Sequence, residues 1–209
     1  MDFPSLAAAA LCYLLGAIPF SYLAGRLKGL DVRQHGSGNV GATNVTRVVG
    51  VGYGVLALVG DVGKGALAAW LVSAWHVPWW VAGFSVIGHN WSIFLKFTGG
   101  KGVATTVGLM VGFALWPVLL ATVAIWIVTV LLTQYIAVGS IVALLLAPGV
   151  LYLFPAQANA VNIELIGLFF VLGLLTVWQH RSNIFRIAQG TEGRVFKKRS
   201  SSSQRVDRK

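Results

Sequence analysis

The chain has 209 residues, of which 56% are hydrophobic and only 11% charged. A soluble domain carries about 25% charged residues, and apolar runs of about 20 residues recur here from end to end. This excludes an ordinary soluble enzyme and indicates an all-α integral membrane protein. The net charge of +10 reads as topology, with basic residues kept on the cytoplasmic side, rather than as nucleic-acid binding.

The first predicted span covers residues 4–24. It lacks a basic n-region and a cleavage site, so it reads as a span and not as a removable signal. Its one cysteine, Cys12, is the only cysteine of the chain and cannot form an intrachain disulfide. Arg26, Lys28 and Arg33 follow, which places that end in the cytoplasm and the N-terminus outside. The second span covers 52–75. A short turn with Trp75, Trp79 and Trp80 as interfacial anchors leads into the third, 79–96.

An uncharged run from residue 102 to 134 comes next. As one helix it is about 48 Å long against a hydrocarbon core of about 30 Å. Breaking it at Trp116-Pro117 gives two crossings and keeps the basic C-terminal end inside; proline's dislike of helix interiors agrees. Further spans are predicted at 137–154 and 163–178. The architecture expected is a seven-transmembrane-helix bundle over residues 1–195, N-terminus outside and C-terminus cytoplasmic. A basic, Ser-rich tail, 196–209, is expected to stay disordered along anionic headgroups.

This topology gathers three polar clusters on one face of the membrane. The first is GSGNVGATNVTR, residues 36–47. Its Gly36, Gly38 and Gly41 match the dinucleotide fingerprint, and Asp61 lies where a ribose acid would stand, but membrane spans flank the loop where a βαβ unit should be. What survives is a loop of hydrogen-bonding groups, Ser37, Asn39, Thr43 and Asn44, with Arg47 able to grip a phosphate through two parallel N–H bonds. The second is HNWSIFLKFTGGKGVAT, residues 89–105. Gly99, Gly100 and Gly102 are expected to let the backbone approach a ligand. Lys101 stands at the start of the next helix, whose free amides attract anions. This is not a Walker loop, because Gly102 occupies the position of the required Ser or Thr. The third is HRSNIFRIAQGTE, residues 180–192, where His180, Asn183 and Arg186 share a helix face. Within the second span, Asp61 and Lys64 sit one turn apart and are expected to pair.

Several chemistries are excluded. No Cys/His/carboxylate group has metal-ligand spacing, and no G-x-S-x-G elbow appears. There is no His-x-x-x-x-Asp, and carboxylates are too scarce for a paired acid/base site. A transporter or binding protein for a phosphorylated metabolite also accounts for anion loops on a bundle. It requires polar groups on both faces of the membrane, and the external turns here lack them.

The three clusters resemble, in order and topology, the three cytoplasmic motifs of the bacterial acyl-phosphate:glycerol-3-phosphate acyltransferase family. The resemblance implies a seven-span fold in the bacterial plasma (inner) membrane. The implied reaction moves a fatty acyl group from a long-chain acyl phosphate to the sn-1 hydroxyl of glycerol 3-phosphate, with no cofactor or metal. It also implies substrate roles for Ser37, Asn39, Thr43, Asn44 and Arg47, of which Ser37 and Arg47 are the strongest candidates for essential residues. By the same resemblance Gly99, Gly100, Lys101 and Gly102 form a phosphate loop associated with glycerol 3-phosphate, and His89, Asn90 and Thr105 are expected to bind substrate or its phosphate with it. Lys101 would offset charge in the transition state. His180 and Asn183 line the site, and Asp61, Lys64 and Glu192 are structural. Both His180 and a substrate phosphate oxygen qualify as the acceptor of the hydroxyl proton.

Overall fold

A computed structural model describes residues 2–154 and 163–196. Among these the regular secondary structure is helical, apart from an isolated bridge between Ser92 and Thr98. Helix α1 (Phe3–Ala17) starts on Asp2, whose carboxylate accepts from the Ser5 amide at 3.2 Å, with Pro4 in the first turn, where a missing N–H costs nothing. Pro19 interrupts the helix, and α2 (Phe20–Arg26) completes the same 24-residue apolar stretch. A loop then leads to the short α3 (Ala42–Val48) and the long α4 (Val51–Ala74). A 3-10 turn, Trp79–Gly83, precedes α5 (Phe84–Asn90). After the glycine loop come α6 (Val103–Gly112), α7 (Trp116–Thr133) and α8 (Ile136–Leu153). The last two helices, α9 (Ile163–Gln179) and α10 (Arg181–Ala188), meet at a 50° bend.

Phe3–Arg26, α4, α7 and α8 are long and apolar enough to cross a bilayer, and the bent α9–α10 pair makes a fifth such segment. The third and fourth expected crossings are shorter than drawn from the sequence. The third ends at Asn90, where the chain leaves the helix at Trp91, and not at residue 96. Helix α6 has ten residues, about 15 Å at 1.5 Å per residue, half the hydrocarbon thickness. The break expected at Trp116-Pro117 falls slightly earlier. Ala114 takes a positive φ of 55°, and Pro117 sits in the first turn of α7. Residues 197–209 of the expected tail lie outside the described residues.

One apolar cluster, including Cys12, Val72, Leu109, Leu144 and Phe169, links α1, α4, α6, α8 and α9. The opposite faces are also apolar: Leu120, Leu131 and Leu132 of α7 are exposed. This is the pattern of a bundle whose outer solvent is lipid. Helices α4 and α6 cross backbone to backbone. A Cβ on Gly65 would meet the Thr105 carbonyl, and one on Gly108 would meet that of Val62. Small residues permit this approach, which is how helices gain contact where the hydrophobic effect cannot drive them together.

Candidate functional site

The three polar clusters converge. A polar cavity of about 350 Å³ is lined by Ser37, Gly38 and Asn39 from the first, by Asn90, Trp91 and Phe97–Lys101 from the second, and by Gln179, Arg181, Ser182 and Arg186 around the third. Each wall has a separate local cause.

The first wall is a loop organised by Asn44. Its Oδ1 accepts the Ser37 amide at 3.0 Å, and its Nδ2 donates to the Val32 and His35 carbonyls at 3.0 Å each. This buried carboxamide is therefore occupied within the loop, and what it does is present Ser37. Asp31 pairs with Arg33 at 2.7 Å, and the Arg26 and Arg33 guanidiniums lie over the Tyr22 ring. Thr43 and Arg47 lie exposed on α3, outside the cavity lining.

The second wall is the glycine loop. The turn before it is clamped to α1: Tyr13 Oη donates to the Trp91 carbonyl at 2.8 Å and Ser92 Oγ to that of Ala17 at 2.5 Å. Sequence reasoning gave the glycines a ligand-facing purpose; the structure also gives them an internal one. A Cβ on Gly99 would overlap the His89 carbonyl, and one on Gly100 would overlap the His89 ring. Gly102 has φ +81°, and a Cβ there would lie 2.9 Å from Asn90 Oδ1. Thr105 Oγ1 and both carboxamide atoms of Asn90 are buried without a hydrogen-bond partner among the described residues.

The third wall is a charged network at the α9–α10 bend. Lys101 Nζ donates to Asn183 Oδ1. Asn183 Nδ2 donates to Glu192 Oε1 at 2.7 Å, and Arg186 Nε to Glu192 Oε2 at 2.6 Å. The segment that carries Glu192 is tied to the α7–α8 turn, where Val195 N donates to the Gln134 carbonyl at 3.0 Å and Arg194 Nε to Tyr135 Oη at 3.2 Å. Two cations thus converge on one carboxylate, Arg186 directly and Lys101 through Asn183. Burial, opposed by Glu192 and reinforced by Arg186, pushes the Lys101 ammonium down to about 8. His180 donates Nδ1–H to the Thr176 carbonyl at 2.8 Å, so in the neutral ring Nε2 is the unprotonated nitrogen. Burial, with Lys101 nearby, pushes its pKa down to about 4.

The expected site residues Asn44, Gly102, Thr105, His180 and Asn183 stand behind the cavity lining rather than in it, and His89 does not line this cavity either. Its Nδ1 lies 3.4 Å from Asp61 Oδ1 in a separate buried cluster, where Lys64 Nζ is 2.8 Å from the same oxygen. The expected Asp61–Lys64 pair is therefore formed, and His89 is its third member. The sequence reading missed Arg181 and Ser182, although both stand inside the third motif. It also missed Ser21, which no motif marks.

The model of the family "Glycerol-3-phosphate acyltransferase" matches residues 6–190. The chain belongs to that family. A glycerol-3-phosphate acyltransferase of Desulforudis audaxviator is 44% identical over 189 residues, covering 88% of this chain and 92% of the relative. One from a Synechococcus species is 43% identical over 202 residues, covering 94% and 98%. Among solved structures, the glycerol 3-phosphate form of PlsY (YgiH), an integral membrane glycerol 3-phosphate acyltransferase, superposes with a TM-score of 0.82 at 36% identity, covering 91% of this chain and 94% of that one. Its lysophosphatidic acid form gives 0.80.

Proposed function

We propose that this chain transfers a fatty acyl group from a long-chain acyl phosphate to the sn-1 hydroxyl of glycerol 3-phosphate, at the cytoplasmic face of a bacterial plasma (inner) membrane. The observation that carries this reading is the convergence of three separate motifs on one cationic cavity, with Lys101 at the junction of two of them. Seven apolar segments cross the membrane, with the N-terminus outside and the basic loops inside. Because α5 and α6 are short, the glycine loop is recessed below the headgroup level. Exposed Phe94 and Phe97 beside it offer an apolar rim to an acyl chain, while the cavity takes the water-soluble substrate.

In this reading Lys101 neutralises the glycerol 3-phosphate phosphate, with Arg186 and the mouth residue Arg181 adding positive potential. Asn90, Thr105 and the backbone of Gly99, Gly100 and Gly102 complete the phosphate loop. Ser37 and Asn39 orient the glycerol from the opposite wall. Arg47 and Thr43, outside the cavity, engage the acyl phosphate at its entrance. Asn183 holds Lys101, and Glu192 holds Asn183.

The reaction needs no covalent enzyme intermediate, because acyl phosphate is an activated mixed anhydride. The sn-1 oxygen bonds to the acyl carbon and the carbon–oxygen bond to phosphate breaks. The hydroxyl proton ends on the departing phosphate, giving lysophosphatidic acid and inorganic phosphate. Positioning and charge neutralisation supply the rate enhancement. Neutral His180 accepts a hydrogen bond from the hydroxyl through Nε2 and so aims it; a pKa of about 4 suits an acceptor better than a base that must keep the proton.

The interior supports an enzyme over a transporter. The polar space at Asp61, Lys64 and His89 is about 10 Å³, room for one water at most. Incubating the purified protein with labelled glycerol 3-phosphate and palmitoyl phosphate should move label into a lipid-extractable product. Label that stays in the aqueous phase, with uptake into sealed liposomes instead, would favour transport.

A further inference from the structure

Asp61 is buried in α4, outside all three motifs, yet its carboxylate joins three elements. Oδ2 accepts from Ser21 Oγ of α2 at 3.1 Å. Oδ1 faces Lys64 Nζ at 2.8 Å and His89 Nδ1 at 3.4 Å. Lys64 in turn donates to the Ile18 carbonyl at 2.9 Å, in the break between α1 and α2. His89 carries the connection to the loop. Its carbonyl accepts the Gly100 amide at 3.1 Å, and its ring packs so closely on Gly100 that a Cβ there has no room.

We infer that Asp61 is a positioning residue for the phosphate loop, acting through His89. The inference rests on the acyltransferase reading, and no substrate contact by Asp61 or His89 is part of it. The geometry supports it in two ways. An ion pair alone needs only Asp61 and Lys64, one turn apart on one helix; the third partner, brought from α5, is the residue that seats Gly100. A buried network of this kind also has few alternative arrangements, because each polar group that loses its partner in a low-dielectric interior is costly. Asp61 thereby fixes the His89 ring, the ring and its carbonyl fix Gly100, and Gly100 precedes Lys101. The Ser21 and Ile18 contacts secure the same point to the broken first span.

The test is steady-state kinetics of His89→Gln and Asp61→Asn in detergent, varying each substrate separately. His89→Gln leaves the ion pair intact. Both variants are expected to raise KM for glycerol 3-phosphate at least tenfold, with kcat changed less than threefold and KM for palmitoyl phosphate less than twofold. If Asp61→Asn does not fold, the double variant Asp61→Asn, Lys64→Gln, which leaves no lone buried charge, takes its place. Unchanged KM for glycerol 3-phosphate in folded His89→Gln overturns the inference, as does an equal loss of kcat with no change in either KM. Absence of acyl transfer by the unaltered protein would count against the acyltransferase reading itself and is seen before any variant is made.

Discussion

Asn183 stands between a base and an acid: Glu192 Oε1 accepts from its Nδ2 at 2.7 Å, and its Oδ1 accepts from Lys101. Glu192 therefore decides which way the carboxamide faces. With the carboxylate in place, the oxygen end is turned to Lys101 and the ammonium is held at the cavity wall.

Glu192→Gln removes the charge that also holds Arg186. A hydrogen bond to a charged group contributes about 1.5–3 kcal/mol net, and Arg186 is about a third exposed, so the loss should sit at the low end. Thermal unfolding in detergent should fall by a few degrees. The kcat/KM for glycerol 3-phosphate should drop about tenfold as Asn183 loses its fixed orientation. Asn183→Asp should also lower the unfolding temperature, since a carboxylate oxygen then replaces the donor that faces Glu192 Oε1 at 2.7 Å, but it should raise the Lys101 pKa by placing a carboxylate beside the ammonium.

Lys101, with a pKa lowered to about 8, is charged below that pH and neutral above it. Because phosphate binding requires the cation, kcat/KM for glycerol 3-phosphate should be level near pH 7 and fall as pH rises through about 8, approaching tenfold per unit. In Lys101→Arg, a cation that does not titrate in this range, any remaining activity should lack that alkaline limb.

His180 behaves in the opposite sense. Its folded pKa of about 4 lies below the unfolded value near 6.5, so the unfolded chain binds the extra proton between those values. Its contribution to stability is complete above pH 6.5 and is lost as pH falls toward 4, by roughly 3 kcal/mol at most. Differential scanning fluorimetry of the protein and of His180→Asn should show the steeper acid loss only with the histidine. In kinetics, kcat at saturating substrates should not bend between pH 5.5 and 7.5 once the phosphate's own pKa near 6 is allowed for. His180→Ala should lower kcat by about 10- to 100-fold without abolishing turnover, the size expected for an aimed hydroxyl rather than a lost base.

The α4–α6 crossing should tolerate no side chain at Gly108, where a Cβ meets the Val62 carbonyl and the Ala66 amide. Gly108→Ala is expected to destabilise by about 1–3 kcal/mol, the usual cost of overpacking. Gly63, whose Cβ would meet nothing within 4 Å, supplies the control, and Gly63→Ala should leave the unfolding temperature unchanged or slightly higher.

The helices that the sequence reveals are those written in hydropathy. Helices α4, α8 and α9 fall within a residue or two of expectation because about 20 apolar residues can do little else in lipid. Helices α5 and α6 were drawn too long. Their ends are set by Trp91 and by the positive φ values of Gly102 and Ala114, local backbone choices that hydropathy does not record. Among the motif residues, type and spacing pointed to Ser37, Lys101 and Asn183. They could not distinguish a residue that faces a cavity from one that builds its wall. Asn44 and His89 have the same chemistry as ligand-binding residues, but their polar atoms are turned to Ser37 and Asp61. For His89 that distinction depends on Asp61, which lies on another helix and outside every motif.

Inorganic phosphate release from the purified protein given palmitoyl phosphate, with and without glycerol 3-phosphate, decides whether this chain is an acyl-phosphate-dependent acyltransferase. Release is expected to depend on glycerol 3-phosphate, to match lysophosphatidic acid one for one, and not to be replaced by free thiol when palmitoyl-CoA is the donor. Folded protein that releases no phosphate with palmitoyl phosphate, or that acylates glycerol 3-phosphate from palmitoyl-CoA instead, would contradict that assignment.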